Sequence, residues 1–256
     1  MAENAERFCA EVAGYLSEEL HIAVEYVSDG LWQERERLFD AGAIQILWLC
    51  GLPYVEKADR SGLETEILAV PVPVGERYRG RPVYFSDIVV KNDSTYRSLF
   101  DLRGARWVYN EPRSHSGYNV VRAYLAEFAQ NREFFGEAVE SGAHTASLEM
   151  VLRGVADGAA IDSTVLEWYF AQGEERPERF RVIGTLGPSP IPPWVVSARV
   201  AEPLRAALRA ALLRMGRSAH GRAILQTGRM ERFVEAADGD YDPIRRMARA
   251  AARVDL

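Results

Sequence analysis

The sequence predicts an α/β protein made of two units. Short runs rich in β-branched and aromatic residues alternate with longer stretches whose apolar residues recur every three to four positions, the rhythm of strands and amphipathic helices taken in turn. The alternation runs through once and then repeats from ARWVYN onward. Prolines at 188, 190, 192 and 193 punctuate the chain beside WVVSARV, where a connection returns toward the first unit.

From Ala5 to Leu20 the apolar residues Phe8, Val12, Leu16 and Leu20 share one face of a helix. IAVEYV, residues 22–27, is a short β-rich run and is expected to be a strand. LWQERERLFDAG reads as a helix that Gly42 ends, and IQILWLC (44–50) as an apolar strand covered on both faces. LETEILAVPVPV and RPVYFSDIVV follow as strands around a proline-containing turn. In the second block ARWVYN is a strand, SHSGYNVVRAYLAEFAQ and TASLEMVLRGVADG are helices, GAAID is a short strand, STVLEWYFAQ a helix and FRVIGTL a strand. After the prolines the chain reads as helical: EPLRAALRAALLRMG, HGRAILQTG and DPIRRMARAAA. The Arg and Ala of this tail suit solvated helix faces. Crossings between the units are expected near 84–91 and 190–197.

Composition narrows the function. Thirty-one basic against thirty-seven acidic side chains leave a net charge of -6, which argues against a general nucleic-acid binder. No apolar run is long enough to cross a bilayer. Cys9 and Cys50 are the only cysteines and have no partner spacing, so neither a disulfide framework nor a zinc site is expected, and no other metal or cofactor is called for. The opening MAENAERFCAEV has no basic stretch followed by an apolar one, so it does not read as a secretory signal.

Four segments in order, GAIQILWLCGLPYV, YFSDIVVKNDSTYRSLFDLRGARWVYNEPRSHSGY, SGAHTASLEMVLRGVADGAAIDSTV and PSPIPPWVVS, resemble the PhnD-like phosphate, phosphite and phosphonate substrate-binding proteins of ATP-driven uptake systems. The resemblance implies a two-lobed type II periplasmic-binding-protein fold, with residues 1–84 and 196–256 in the first lobe and 91–190 in the second. It also implies non-catalytic binding of a small oxyanion (phosphate, phosphite or a phosphonate), an ABC permease as partner, a monomer, and an extracytoplasmic location. Two departures stand out. The chain opens directly in the first helix, so the usual first strand is expected to be missing. His115 stands where the family places a threonine. The missing signal leaves a cytoplasmic location open, and with it a cytosolic ligand sensor of similar fold.

The residues themselves fit an anion. The helix predicted to begin near His115 leaves its first amides unpaired and its dipole positive at that end; Ser114 and Ser116 add hydroxyl donors, and Gly117 lets backbone approach a ligand. Helix capping by Ser114 is the plainer reading of the same serine. His144, in SGAHTAS, is at another helix start, where it could donate to an anionic oxygen or be simply structural. Asp162 follows a short apolar strand; it could accept a proton from a P–OH or ammonium group, or cap the next helix. Tyr84 matches a cleft tyrosine of the family. Tyr54 and Trp48 flank the LCGLP turn as further ligand candidates, with core packing the alternative for Trp48, while Trp194 is expected to pack at the second crossing. Ser116, His144 and Asp162 also occur in the order of a hydrolase triad, although the serine lacks a G-x-S-x-G elbow.

Overall fold

Nine helices and nine strands carry the described chain, and most begin where the sequence pattern changes period. The structure, a computed structural model, describes residues 5–28, 30–60, 65–128, 134–172 and 177–256. Helix α1 (Ala5–Leu20) turns Phe8, Val12 and Leu16 inward, as their spacing predicts. Helix α2 (Trp32–Asp40) stops just before Gly42, whose φ of 80° is the left-handed conformation that glycine adopts without strain. There follow β1 (Ile46–Trp48), α3 (Gly51–Ala58), β2 (Thr65–Pro73), β3 (Val83–Lys91) and β4 (Arg106–Tyr109). A π-helical turn, His115–Asn119, leads into α4 (Val120–Glu127); β5 (Glu137–Glu140), α5 (His144–Leu152), β6 (Gly158–Asp162) and α6 (Ser163–Ala171) come next. The chain ends with β7 (Phe180–Pro190), β8 (Trp194–Ser197), α7 (Glu202–Arg214), α8 (Ala219–Thr227), β9 (Met230–Val234) and α9 (Asp242–Ala251).

These elements form two units. One takes the chain through Val83 together with Pro190–Tyr241; the other takes Tyr84–Ser189 with Asp242–Leu256. The first has a four-stranded sheet in the order β1-β8-β2-β9, with antiparallel ladders throughout. Its core gathers Phe8, Trp194 and Phe233, with ring centroids 5.9 to 6.4 Å apart, under Leu208, Leu212 and Leu225 of the helices. Burying a side chain such as Phe8, fully enclosed here, contributes about 1.5–3 kcal/mol.

The second unit has a five-stranded sheet ordered β5-β4-β6-β3-β7, in which β4 runs parallel to β5 and β6 and β3 runs antiparallel to β6. Alternate residues of these strands enter different cores. Ile88, Val90 and Ala160 join Trp107, Val121 and Leu125, whereas Val89, Ala159 and Ile161 join Leu148, Val151 and Leu166. Helices therefore cover both faces, which is why these strands read as nearly unbroken apolar runs. Because β3 is antiparallel to β6, its beginning lies beside the end of β6, with Ser86 opposite Asp162. The open end of the sheet thus collects the first residues of β3 and the last residues of β4 and β6, the place where α/β sheets bind ligands.

The structure departs from the sequence reading in several places. Residues 22–27 form no strand. Their β-branched composition suits a ladder, but a strand exists only when another strand pairs with it, and among the described residues none does. The strand predicted over 44–50 is only three residues long, lies at the edge of its sheet and is half-buried. Residues after it form α3, and the region after Ala201 contains β9 as well as helices. The C-terminal stretch also divides: α9 packs against α4, and Arg122 Nε donates to the Val254 carbonyl at 2.5 Å, so residues 242–256 group with the second unit and the chain passes between units at a third point, 241/242. Trp194 sits in the core of the first unit.

Candidate functional site

Four sequence candidates of the second unit, Ser114, Ser116, Gly117 and His144, meet at the open end of its sheet, where Asp162 ends β6. The β4 strand ends at Tyr109, and five residues beyond Asn110 the π-helical turn begins. Ser114 caps it: its backbone is extended (φ -72°, ψ 129°), and its hydroxyl accepts from the Gly117 amide at 3.0 Å. The Asn119 amide donates to the Ser114 carbonyl at 3.0 Å, the wide i to i+5 closure that makes this turn a π-helix. With Gly117 used in the cap, the amides of His115 and Ser116 bond to nothing among the described residues. Two unpaired donors at a helix start, under the positive end of its dipole, make a nest for an anion.

A side chain from α5 completes the cluster. Ser116 Oγ lies 3.0 Å from His144 Nε2, and both residues are buried. The other ring nitrogen, His144 Nδ1, is buried without a hydrogen-bond partner among the described residues, as is Asn110 Oδ1. An unmade hydrogen bond at a buried polar atom costs about 1–3 kcal/mol, so their presence at one spot marks a place that a ligand would complete. Gly117 explains how these groups come so close: a β-carbon there would stand 2.0 Å from Asn110 Oδ1 and 3.1 Å from His144 Cε1. Asn110 had no signal in the sequence beyond its place at the end of a strand.

Three groups have shifted titrations. Burial pushes His115 and His144 down to about 3, so both imidazoles are neutral at physiological pH. Burial raises the Asp162 carboxyl to about 6, against the opposing effect of hydrogen bonds from Thr164, with nearby Asp87 adding to the rise. Asp162 Oδ1 accepts from the Thr164 amide at 2.8 Å and from its hydroxyl at 2.7 Å, so it does cap α6.

These shifts set an acid sensitivity whose sign follows from proton counting. Asp162 alone makes stability fall as pH rises from about 4 to 6, because only the folded state holds its proton there. The two histidines act the other way: from about 6.5 downward the unfolded chain binds protons that the folded protein refuses. Over pH 4–6 the balance is two protons against one, and stability should rise with pH by ~1.4 kcal/mol per unit from these three groups. Urea unfolding midpoints measured from pH 4 to 7 should climb accordingly, and His144→Gln should flatten the climb. An unchanged slope in that variant would mean that His144 titrates normally in the fold.

Not every candidate faces this spot. His115 is fully buried, with Nδ1 3.1 Å from Asn119 Nδ2 and Nε2 2.9 Å from Ser189 Oγ, so both nitrogens are engaged by protein. Tyr84 is buried at the start of β3, its ring centroid 6.4 Å from that of His115. Trp48 and Tyr54 belong to the first unit. Trp48 stacks on Trp194 at 5.8 Å and donates to the Pro192 carbonyl at 2.9 Å; Tyr54 donates to Asp238 at 2.8 Å and packs on Tyr241 at 4.7 Å. Both therefore have the core-packing partners that the sequence offered as the alternative for Trp48.

The profile of one protein family, described as "ABC transporter, phosphonate, periplasmic substrate-binding protein", matches residues 2–241. The chain belongs to that family. Solved structures agree on the fold of this phosphonate-family binding protein. A binding protein component of an ABC phosphonate transporter, PA3383 from Pseudomonas aeruginosa, is 19% identical, with a TM-score of 0.85 over 98% of this chain and 83% of its own. PhnD1 from Prochlorococcus marinus (MIT 9301), solved in complex with methylphosphonate, is also 19% identical, with a TM-score of 0.82 over 95% and 91%. XAC2383 from Xanthomonas citri, bound to ATP, is 15% identical, with a TM-score of 0.74 over 98% and 93%. The fold is that of the type II periplasmic binding proteins. Membership makes this phosphonate-family chain a substrate-binding component of a transport system, with a small ligand and a permease as its partners.

The triad that the sequence allowed does not assemble. Ser116 and His144 are paired, but Asp162 is turned to Thr164, and among the described residues no carboxylate reaches His144 Nδ1. A serine–histidine pair with an unoriented base is a weak nucleophile, whereas a neutral pair that turns one proton outward, from the Ser116 hydroxyl or from His144 Nδ1, suits reversible anion binding.

Proposed function

We propose that this chain captures a small phosphorus oxoanion, with a short-chain phosphonate as the best fit, outside the cytoplasm and as a monomer, and delivers it to an ABC permease. The observation that carries the reading is the convergence of the free His115 and Ser116 amides with the Ser116–His144 pair, which turns one proton outward, at the end of one sheet. Each is a neutral hydrogen-bonding group, and a tetrahedral oxyanion offers acceptors in several directions at once. Asp162, ionised in most molecules at neutral pH, adds the opposite preference. It repels a fully deprotonated oxyanion and accepts a hydrogen bond from a P–OH or from the ammonium of an aminoalkyl phosphonate. In this reading Ser114 contributes by shaping the turn and Gly117 by leaving room, while His115 and Tyr84 form the wall behind them. Trp48 and Tyr54 support the first unit.

Calorimetry against phosphate, phosphite, methylphosphonate, 2-aminoethylphosphonate and carboxylic acids tests the proposal. Binding of at least one phosphorus oxoanion far more tightly than any carboxylic acid is expected. Equal affinity for acetate or succinate, or heat only from the carboxylic acids, would overturn it.

A further inference from the structure

Behind the anion nest runs a second chain of buried polar groups that the binding reading does not use. Asn119, His115 and Ser189 are each at most 3% exposed, and they are linked in that order by contacts of 3.1 and 2.9 Å. Their donor and acceptor roles follow from one another. The Asn119 side-chain nitrogen can only donate, so His115 Nδ1 must accept. A neutral imidazole that accepts at Nδ1 carries its proton at Nε2, and that N–H donates to Ser189 Oγ. Burial, which holds His115 neutral, keeps the sequence of roles intact. The Ser189 oxygen is thereby an acceptor, and its own O–H is left to donate elsewhere; among the described residues nothing receives it.

Ser189 lies near the end of β7, next to β3 in the sheet, and a β-carbon on Gly187 two residues earlier would stand 3.3 Å from the Tyr84 carbonyl. It therefore belongs to the same open end of the sheet as Tyr84, Asp162 and the turn at 114–117. We propose that Ser189 is a further ligand-binding residue, whose hydroxyl donates to an oxygen of the bound phosphorus oxoanion in a direction fixed by the Asn119–His115 relay. This rests on the anion-binding reading and adds to it a donor on a strand 74 residues along the chain from His115. It also gives His115 a role: its two ring nitrogens hold Asn119 and Ser189 at once, where a threonine would offer a single hydroxyl on a shorter side chain.

Two measurements on the whole chain test this. The tautomer of His115 in the unliganded protein can be read from long-range proton–nitrogen NMR correlations, without any variant. Protonation at Nε2 is expected; a proton at Nδ1 would mean that Nε2 consumes the Ser189 O–H, and would overturn the proposal. In calorimetry with methylphosphonate, Ser189→Ala should bind about ten- to a hundred-fold more weakly than the natural protein, the usual cost of one charge-assisted donor. Its unfolding midpoint in urea should shift far less than its affinity. Ser189→Thr, which keeps the hydroxyl, should retain affinity within a few-fold, and decides the matter through the same titration if the alanine variant does not fold. Full affinity in Ser189→Ala, or a loss in Ser189→Thr as large as in a hydroxyl-free variant, would sink the proposal while leaving anion binding by the chain untouched. Failure of the natural protein to bind any phosphorus oxoanion would instead sink the function on which it rests.

Discussion

Gly117→Ala should cost this protein on the order of 100-fold or more in ligand affinity and about 1–3 kcal/mol in stability, because the new methyl has nowhere to go. Its position would be 2.0 Å from Asn110 Oδ1, 3.0 Å from Asn110 Cγ and 3.1 Å from His144 Cε1. Gly117 does not have a positive φ, so backbone strain is not the cause; the clash is between side chains that are themselves buried. One of them must yield. If Asn110 rotates, a buried amide loses its place at the end of β4; if the imidazole moves, Ser116 loses its 3.0 Å partner. Either shift displaces a positioned group by ~1 Å, which is enough to spoil a demanding geometry. Urea titration and calorimetry on the same preparation check both halves. The combined Gly117→Ala, Asn110→Ala variant should regain part of the stability and little of the binding. Unchanged affinity in the single variant would show that the ligand does not approach this turn.

Ser116→Ala should weaken binding strongly. The residue is the second of the π-helical turn, it does not cap it, and its side-chain hydrogen bond among the described residues is with His144 Nε2. In the proposed role His144 Nε2–H donates to the serine and the serine O–H to the anion, so removing the hydroxyl forfeits a charge-assisted hydrogen bond of roughly 1.5–3 kcal/mol, and affinity should fall about ten- to a hundred-fold. Stability should fall as well, by about 1–3 kcal/mol, since the buried His144 Nε2 loses its partner. Ser114→Ala should tell more on stability than on binding, because its hydroxyl holds the Gly117 amide and with it the shape of the turn. Should Ser116→Ala retain full affinity for every phosphorus oxoanion that the natural protein binds, the serine serves only the histidine.

What could be read in the sequence follows from which properties are local. The face of α1, the end of α2 at Gly42 and the helix start after Ser114 depend on neighbours within one or two turns, and all are visible in order along the chain. Ladders are not local. IAVEYV has the residues of a strand but no partner, while EAVE becomes β5 because β4 lies beside it, although its residues are mostly exposed and its ends are acidic. The assignment of α9 to the second unit depends on its contact with α4, more than a hundred residues earlier. The site divides in the same way. Ser114, Ser116 and Gly117 announce themselves as small donors and a glycine at a helix start. Asn110, Asn119 and Ser189 acquire meaning only once His115 and His144 have been brought to them, and Ser189 within GPSPIPP reads as one more turn residue.

The neutrality of the two buried imidazoles reaches beyond equilibrium affinity. Apart from Asp162, the side chains hydrogen-bonded around the nest are uncharged at neutral pH, and the chain as a whole carries a net charge of -6. On the proposed reading, an incoming anion meets a chain whose net charge repels it, and it is held by contacts a few ångströms long once it reaches the turn. Dissolved salt, which weakens electrostatic forces over distances of about 8–10 Å, screens that repulsion more than it weakens those contacts. Such a receptor keeps its grip from dilute to saline surroundings, and its encounter rate rises, not falls, with ionic strength.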